Sequence, residues 1–211
     1  MIKVDYIKNS DFDEDLLDRV RAGAPWDYRL WEPEQVVVVL GRSNQAEIEV
    51  EQQRCREDEI PIVRRRGGGG TVVLSPGILV ISLVKRVTHL YFEEYFWKIN
   101  TYIIEALKNL GIFGLTQQGH SDICLGDRKI LGSCMYGGQH LLFYTASLMV
   151  DNNLALIDRY LKHPSREPEY RQGRPHQEFL TTIRHSFPQL SVKEVSRELD
   201  TLLSKRIREL D

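Results

Sequence analysis

The chain has 211 residues, of which 42% are hydrophobic, and its formal net charge is -2 at pH 7. This length allows one domain with a sizeable core, and we expect residues 1–211 to form a single domain. The near-neutral charge argues against a protein that binds nucleic acid through a general basic excess. The N-terminus is acidic where a signal peptide would be apolar, and no run approaches the roughly 18 apolar residues of a membrane span. The three cysteines form no CxxC pair. We therefore expect a cytoplasmic protein that does not bind membranes.

Short apolar, β-branched runs in the first half of the chain predict strands. These runs are QVVVVL (35–40), IPIV (60–63), TVVL (71–74) and ILVISLV (78–84). The last run is apolar throughout, which is typical of a strand that is covered on both faces. Helices should therefore pack on at least one side of the sheet.

Two longer segments have the spacing of amphipathic helices. Apolar residues recur at helical intervals from Leu90 to Leu110, with Thr88 as the expected N-cap and Gly111 as the stop. Near the C-terminus, Ser191 and Glu194 form a predicted capping box ahead of a second apolar stripe.

Between these helices the chain becomes irregular. Residues 154–162 predict a short helix that ends before Pro164. The polar, proline-rich stretch 164–178 predicts an irregular surface segment. No internal repeat or low-complexity linker divides the chain.

The segment VRRRGGGGTVV, residues 63–73, places four glycines between two predicted strands. In regular structure each glycine costs roughly 0.5–1 kcal/mol relative to alanine, so a requirement other than stability should maintain the run. It lacks the Gly-Lys-Ser/Thr of a P-loop, and Val72 stands where a dinucleotide fingerprint needs its third glycine. With a strand on each side, no helix N-terminus is available to bind phosphate. The segment predicts a loop of backbone amides and arginines that binds an anion, and the alternative is a solvated turn.

A second motif is SDICLGDRKILGS, residues 121–133, in which Gly126 and Asp127 predict a two-residue hairpin turn. This register pairs Cys124 with Lys129 and places Asp122 on the same face. A fixed Lys129 ammonium could stabilise negative charge that develops as a mixed anhydride forms. Asp122 could hold this lysine or the polar end of a ligand. The alternatives are a solvated lysine and a structural hydrogen bond at the strand end.

Four segments carry a family resemblance. RRRGGGGTV and SDICLGDRKILGS resemble two signature segments of the lipoate-protein ligase A and biotin ligase superfamily. YRLW…VVVVLGRSNQ and RYLKHPSREPEYRQGRPHQEFLTT are similar to two more, the latter typical of a compact lipoate-ligase-like subgroup. The matches run in order from about residue 28 to 183.

The resemblance implies an α+β fold, a mixed and largely antiparallel sheet with flanking helices, as in biotin/lipoate ligase-like, class II aminoacyl-tRNA synthetase-like catalytic domains. It also implies a reaction. Lipoate or octanoate attacks the α-phosphate of ATP in the presence of Mg²⁺, and the acyl-AMP then transfers its acyl group to a lysine of an apo lipoyl carrier protein. That carrier would be an E2 domain, an H protein or a similar protein. Bacterial ligases of this type often carry a C-terminal accessory domain, so for these 211 residues we expect either that a separate small subunit supplies it or that the catalytic domain acts alone.

The predicted site combines the motif arguments with this resemblance. Lys129 is the expected catalytic residue, and the resemblance assigns no metal ligand. The residues expected to bind substrate and adenylate are Arg42, Arg65, Arg66, Gly67, Gly68, Gly69, Gly70, Thr71, Asp122, Gly132 and Ser133.

The sequence departs from the family pattern in places. Leu74 and Ser75 stand where a histidine is common, and FYTASLM (143–149) replaces a histidine-containing stretch, with Tyr144 at a histidine position. These changes are expected to alter the acyl pocket or the carrier contact.

Three alternative functions stay open. The first is an ATP-independent octanoyltransferase that uses Cys124 as nucleophile, activated by the neighbouring lysine. The others are a biotin-protein ligase and a noncatalytic module that binds the carrier domain.

Overall fold

The computed structural model describes residues 7–10, 12–138 and 140–210. Within these ranges the strands are β1 Lys8–Asn9, β2 Trp26–Trp31, β3 Val37–Leu40, β4 Ile62–Arg64, β5 Val72–Leu74, β6 Ile78–Arg86, β7 Leu115–Gln118, β8 Asp122–Leu125, β9 Arg128–Gly138 and β10 Leu141–Met149. The helices are α1 Glu14–Arg21, α2 Ala46–Glu49, α3 Gln52–Glu57, α4 Phe92–Asn109, α5 Ala155–Tyr160, α6 His176–Phe179, α7 Ile183–Ser186 and α8 Val192–Arg206. Short 3-10 helices cover Glu169–Arg171 and Ile207–Glu209.

The described strands form two sheets. The larger is antiparallel, with the strand order β2-β6-β10-β9-β8-β7. The smaller has the order β1-β4-β3-β5, in which β4 runs parallel to both neighbours and β5 runs antiparallel to β3. The predicted α+β fold with a mixed, largely antiparallel sheet is confirmed, as are strands within all four apolar runs.

Helices α4 and α8 cover one face of the larger sheet. Ile99 and Ile103 of α4 and Leu199 of α8 share a buried apolar cluster with Tyr144 and Leu148 of β10. Because side chains alternate along a strand, Thr145 and Ser147 of β10 face the other way. That opposite face is left to line a cavity, which is described below.

The predicted N-cap at Thr88 is wrong. Helix α4 begins at Phe92, with Tyr91 at the N-cap position and no side-chain capping bond. The backbone N–H of Val87 still donates to the carbonyl of His140, so the chain is tied to the sheet one residue before Thr88. The predicted stop at Gly111 is confirmed, because the helix ends at Asn109 and Gly111 adopts φ +83°.

Two further helix predictions are confirmed. The Ser191 and Glu194 side chains form both hydrogen bonds of the capping box at the start of α8. Helix α5 occupies the core of the predicted 154–162 segment. Among the described residues, no helix combines the length and the apolar character needed to cross a membrane.

Candidate functional site

A cavity of about 1240 Å³ is lined by residues of both sheets. The smaller sheet contributes Val39 and Val72, and the larger sheet contributes Val80 of β6 and Ser147 of β10. The loop between β4 and β5 and the segment after α5 complete its walls. The two predicted motifs, the glycine run and the Lys129 hairpin, both open onto this cavity.

The glycine loop, Gly67–Gly70, folds back onto the end of β3. The backbone N–H of Arg42 donates to the carbonyl of Gly67 at 2.9 Å. A Cβ atom on Gly41 would lie 2.1 Å from the carbonyl oxygen of Gly69, so the close approach of the two segments requires glycine at position 41. Gly69 itself adopts φ +85°, a conformation that favours glycine.

Arg65 holds this loop from within. Its Nη2 atom donates to the carbonyl oxygens of Gly68 and Gly70, at 2.6 Å each. Its Nε atom is buried and has no hydrogen-bond partner among the described residues. The side chain therefore braces the loop and retains one unused donor beside the cavity.

The other two arginines of the motif have different partners. Arg64 donates to the carbonyl oxygens of Gly41, at 2.9 Å, and Asn44, at 2.7 Å, and so stabilises the turn after β3. Arg66 forms a bidentate ion pair with Glu14 at 2.7 Å. The predicted local excess of positive charge is thus partly neutralised, and Arg65 is the arginine engaged with the glycine loop.

The hairpin that carries Lys129 has the predicted register. Leu125 pairs with Arg128 and Cys124 pairs with Lys129 across the Gly126-Asp127 turn. The Nζ atom of Lys129 lies 2.8 Å from Oδ1 of Asp122, which confirms that the two side chains share a face.

A third side chain joins this pair. Tyr170 donates its hydroxyl to Oδ2 of Asp122 at 2.7 Å, so each carboxylate oxygen has one partner. Burial is the main cause that raises the pKa of the Tyr170 hydroxyl, and the Asp122 carboxylate raises it further. Tyr170 therefore stays protonated and acts as a hydrogen-bond donor.

Strand β9 brings the two motifs together. The Nζ atom of Lys129 would lie 2.7 Å from a Cβ atom on Gly132, so the lysine side chain lies over this glycine. Two residues along the strand, the Sγ atom of Cys134 would lie 2.8 Å from a Cβ atom on Gly67. Positions i and i+2 of a strand share a face and are roughly 7 Å apart. The lysine and the glycine loop therefore meet one face of β9 at adjacent positions.

Most of the predicted site residues meet at the cavity. Those that line it are Arg65, Arg66, Gly67, Gly69, Gly70, Thr71, Asp122, Lys129, Gly132 and Ser133. Ser133 donates to the carbonyl of Ser121 at 2.8 Å, which ties β9 to the start of β8. Arg42, Gly68 and Cys124 lie outside the lining, although Arg42 supports the glycine loop through its backbone.

The environment of Cys124 does not activate a thiolate. The residue has 0% exposure, and burial is the main cause that raises the pKa of its thiol above the usual value. Lys129 and Tyr170 act in the opposite direction but do not outweigh this effect. Cys134, which the sequence did not single out, is the half-buried cysteine on the cavity wall.

Residues 164–178 were expected to be an irregular surface segment, and most of them are exposed and irregular, with a 3-10 helix and the start of α6 as exceptions. The closing segment, which we define as residues 168–181, contains a 3-10 helix and α6 and buries Arg171 to 5% exposure. It contacts the Lys129 hairpin directly, because Thr181 N donates to the carbonyl of Lys129 at 3.0 Å. Long-range contacts with the hairpin therefore order a segment whose composition is that of a loop.

The cavity contains unpaired polar atoms of two predicted residues, Arg65 and Thr71, and of two that sequence reasoning missed, Tyr136 and Arg171. Among the described residues, four of its lining side chains contain a buried nitrogen or oxygen without a hydrogen-bond partner: Arg65 Nε, Thr71 Oγ1, Tyr136 OH and Arg171 Nη2. Burial raises the pKa of Tyr136 to about 12, so its hydroxyl also remains protonated. Buried polar groups without partners are uncommon in folded proteins, and their concentration here is typical of a ligand site.

Tyr144, one of the departures from the family pattern, does not line the cavity. Tyr144 is completely buried in the core on the helix side of β10, where its hydroxyl donates to Asn100 at 3.0 Å. Phe143, Thr145 and Ser147 of the same strand line the cavity instead. Leu74, the other departure at a histidine position, does contribute to the cavity wall.

Among the described residues, no group of three or more His, Cys, Asp or Glu side chains is arranged to hold a metal ion. The cavity nevertheless contains carboxylates, including Asp122 and Glu167. Mg²⁺ usually needs only one or two protein carboxylates when substrate phosphates supply further ligands. The residues present therefore fit an ion that binds together with a nucleotide.

Two sheets that line one cavity, with helices on the outer face of the larger sheet, are the architecture in which these residues meet. The chain belongs to the lipoyl protein ligase A/B catalytic domain family, whose model matches residues 5–203. It is 32% identical over 131 residues to a putative lipoate-protein ligase A of Schizosaccharomyces pombe, a match that covers 61% of this chain and 34% of the relative. It is 30% identical over 131 residues to lipoate-protein ligase 2 of Staphylococcus aureus, covering 62% and 38%. The matches thus span little more than a third of these relatives.

Solved structures share the fold. A lipoate-protein ligase A bound with ATP superposes with a TM-score of 0.81 and 22% identity, over 93% of this chain and 78% of that chain. A bipartite lipoate-protein ligase of Thermoplasma acidophilum, studied with its E2 lipoyl domain, gives a TM-score of 0.79 and 20% identity, over 96% and 82%. The predicted family and fold are confirmed.

Proposed function

We propose that the chain is the catalytic domain of an ATP-dependent lipoate or octanoate protein ligase. It would activate the acid as acyl-AMP and transfer the acyl group to a lysine of a lipoyl carrier domain. The observation that supports this most is the placement of the glycine loop and Lys129 at adjacent positions on one face of β9. This arrangement suits a phosphate ester that lies on bare backbone and contacts an ammonium group.

The cavity supplies the chemical requirements of acid activation. Negative charge develops on the α-phosphate as the acid's carboxylate attacks and pyrophosphate leaves. A positioned Lys129 ammonium stabilises this charge, and the buried Arg65 Nε and Thr71 Oγ1 are further donors that an anion would satisfy. Apolar wall residues such as Val80 and Met149 suit an aliphatic chain.

Mg²⁺ belongs to this proposal as the ion that accompanies the ATP phosphates. Glu167 is a cavity carboxylate that would help to hold it beside the ATP phosphates, and the ion would neutralise charge on the leaving pyrophosphate. The free cysteines Cys55, Cys124 and Cys134 support the proposed cytoplasmic location, because a reducing compartment maintains thiols.

The partner would be an apo lipoyl carrier protein, such as an E2 domain or an H protein. A separate accessory subunit is a further proposal, supported by the likeness to the bipartite ligase of Thermoplasma acidophilum. We also propose that residues 1–211 act as one catalytic domain, since both sheets line the same cavity.

The octanoyltransferase alternative has less support, because Cys124 is buried outside the cavity lining. A biotin-protein ligase and a noncatalytic carrier-binding module predict different reaction products. The former makes biotinyl-AMP, and the latter makes no adenylate.

The test is acyl-AMP formation, measured by mass spectrometry after mixing the protein with ATP, Mg²⁺ and either lipoate or octanoate. Replacement of Lys129 by Met should reduce the rate by about 100-fold or more, as expected for the loss of a charge-stabilising group. Lys98→Met is the matched control, because both lysines have 23% side-chain exposure and a carboxylate at 2.8 Å, but Lys98 lies on α4 outside the cavity lining.

Three outcomes would contradict the proposal. The first is adenylate formation from biotin but not from lipoate or octanoate. The second is ATP-independent acylation of Cys124 by an octanoyl carrier protein. The third is equal rates for the Lys129→Met and Lys98→Met variants.

A further inference from the structure

The closing segment holds the Lys129 hairpin at three points. Leu180 forms an isolated parallel bridge with Lys129, next to the backbone hydrogen bond from Thr181. Arg174 donates to the carbonyl and carboxylate oxygens of Asp127 in the hairpin turn, both at 3.2 Å. Tyr170 makes the third contact, the 2.7 Å hydrogen bond to Asp122. The contacts to Lys129 and to Asp127 therefore fix the hairpin backbone. The third contact, from Tyr170, reaches Asp122, the ion-pair partner of Lys129.

Contacts that do not involve its hydroxyl hold Tyr170 in this position. Its ring centroid lies 5.2 Å from that of Phe179, within the same buried cluster. The guanidinium of Arg174, which donates to the carbonyl of Tyr170 at 3.0 Å, holds the backbone. Removal of the hydroxyl alone should therefore leave the ring and the closing segment in place.

The hydrogen bond restricts the carboxylate. A carboxylate with a single partner can turn and exchange its oxygens, whereas Asp122 has Tyr170 on Oδ2 and Lys129 on Oδ1. The ammonium of a lysine stands at the end of a flexible four-carbon chain, so its position is fixed by the group that binds it. Asp122 has 11% side-chain exposure, which leaves water little access to replace the tyrosine.

We infer that Tyr170 is a positioning residue, which orients the Lys129 ammonium towards the reacting phosphate by fixing the Asp122 carboxylate. This inference rests on the proposed function for its catalytic consequence. It predicts that Tyr170 contributes to the chemical step more than to the binding of ATP or lipoate, since its hydroxyl donates to Asp122.

The first test is the kinetics of acyl-AMP formation by Tyr170→Phe. We expect kcat to fall about 10-fold, whereas KM for ATP and for lipoate should stay within about 2-fold of the wild-type values. Tyr28→Phe is the matched control, because Tyr28 also donates to an aspartate, Asp200, at 2.7 Å, but outside the cavity lining. It should leave kcat unchanged.

A double-mutant cycle separates positioning from a general packing effect. If Tyr170 acts through Asp122, then adding Tyr170→Phe to Asp122→Ala should cause no further loss of kcat. Full, independent losses in the double variant would overturn the inference.

A second measurement does not depend on activity. The rate at which a small amine-reactive reagent labels Lys129, followed by peptide mass spectrometry, should rise several-fold in Tyr170→Phe and stay unchanged in Tyr28→Phe. If the wild-type protein makes no acyl-AMP, the proposed function fails while this labelling still tests the position of Lys129. Wild-type labelling rates in Tyr170→Phe would overturn the inference, as would a wild-type kcat.

Discussion

The position of the Lys129 side chain depends on Gly132, a neighbouring residue that has no side chain. Its Nζ and Cε atoms lie where a Cβ on Gly132 would be only 2.7 and 2.8 Å away. Gly132 therefore provides the space in which the ammonium reaches Asp122 across β8 and β9. The glycine would otherwise be unfavourable in the interior of a strand.

Gly132→Ala should move the lysine without unfolding the protein. The added methyl group meets the far end of a flexible side chain, which can turn away at little cost. We expect acyl-AMP formation to fall by about 10- to 100-fold, because small displacements of a catalytic group have effects of this size. Thermal unfolding, measured by circular dichroism, should change little.

Gly138→Ala is the control for this substitution. Gly138 belongs to the same strand and has open space for a Cβ atom. If Gly132→Ala retained the wild-type rate, the position of Lys129 over this glycine would be irrelevant to the reaction.

At the scale of elements, the four glycines of the loop are not equivalent. Gly69 requires glycine for its backbone conformation, and a Cβ on Gly67 would press on Cys134. Gly68 and Gly70, in contrast, have open space for a Cβ and no left-handed φ. The fold does not require glycine at position 68 or at position 70. Because Gly70 lines the cavity, we infer that the bound ligand requires glycine at this position.

A pair of substitutions tests this distinction. Gly70→Ala should leave stability unchanged or raise it by about 0.5–1 kcal/mol, because alanine restricts the unfolded chain, while KM for ATP rises. Gly41→Ala should instead lower stability by about 1–3 kcal/mol, because its Cβ would overlap the carbonyl of Gly69. Urea unfolding and initial-rate kinetics measure both effects. A Gly70→Ala protein with an unchanged KM would show that the ligand does not lie on this backbone.

The elements also show which parts of the site could be predicted from sequence. The hairpin register next to the Gly126-Asp127 turn could be predicted, because a two-residue turn fixes which residues pair, whereas the register shift between Ile123 and Cys124 could not. The pairing of Tyr170 with Asp122 spans 48 residues of sequence, and no local pattern encodes it. The same holds for Arg66, whose partner Glu14 lies 52 residues away. Local rules predicted the elements and the motif geometry, whereas the contacts between distant segments became visible only in the structure.

In the molecule as a whole, both sheets line one cavity. The smaller sheet carries the glycine loop between β4 and β5, and the larger sheet carries Lys129 at the start of β9. The closing segment then returns from α5 to cover the hairpin. The cavity lining therefore draws on residues from 10 to 180.

This organisation has a consequence for the carrier protein. A lysine of the carrier would have to reach the acyl carbon inside the cavity, so an exposed turn of the partner suits the approach better than a flat surface.

The most direct test of the central claim is a crystal structure of the protein soaked with ATP, Mg²⁺ and lipoate. We expect lipoyl-AMP with its phosphate against Gly67–Gly70 and with Lys129 Nζ within hydrogen-bond distance, about 3 Å, of a phosphate oxygen. A nucleotide bound outside this cavity, or an adenylate in the cavity whose phosphate contacts neither the glycine loop nor Lys129, would contradict it.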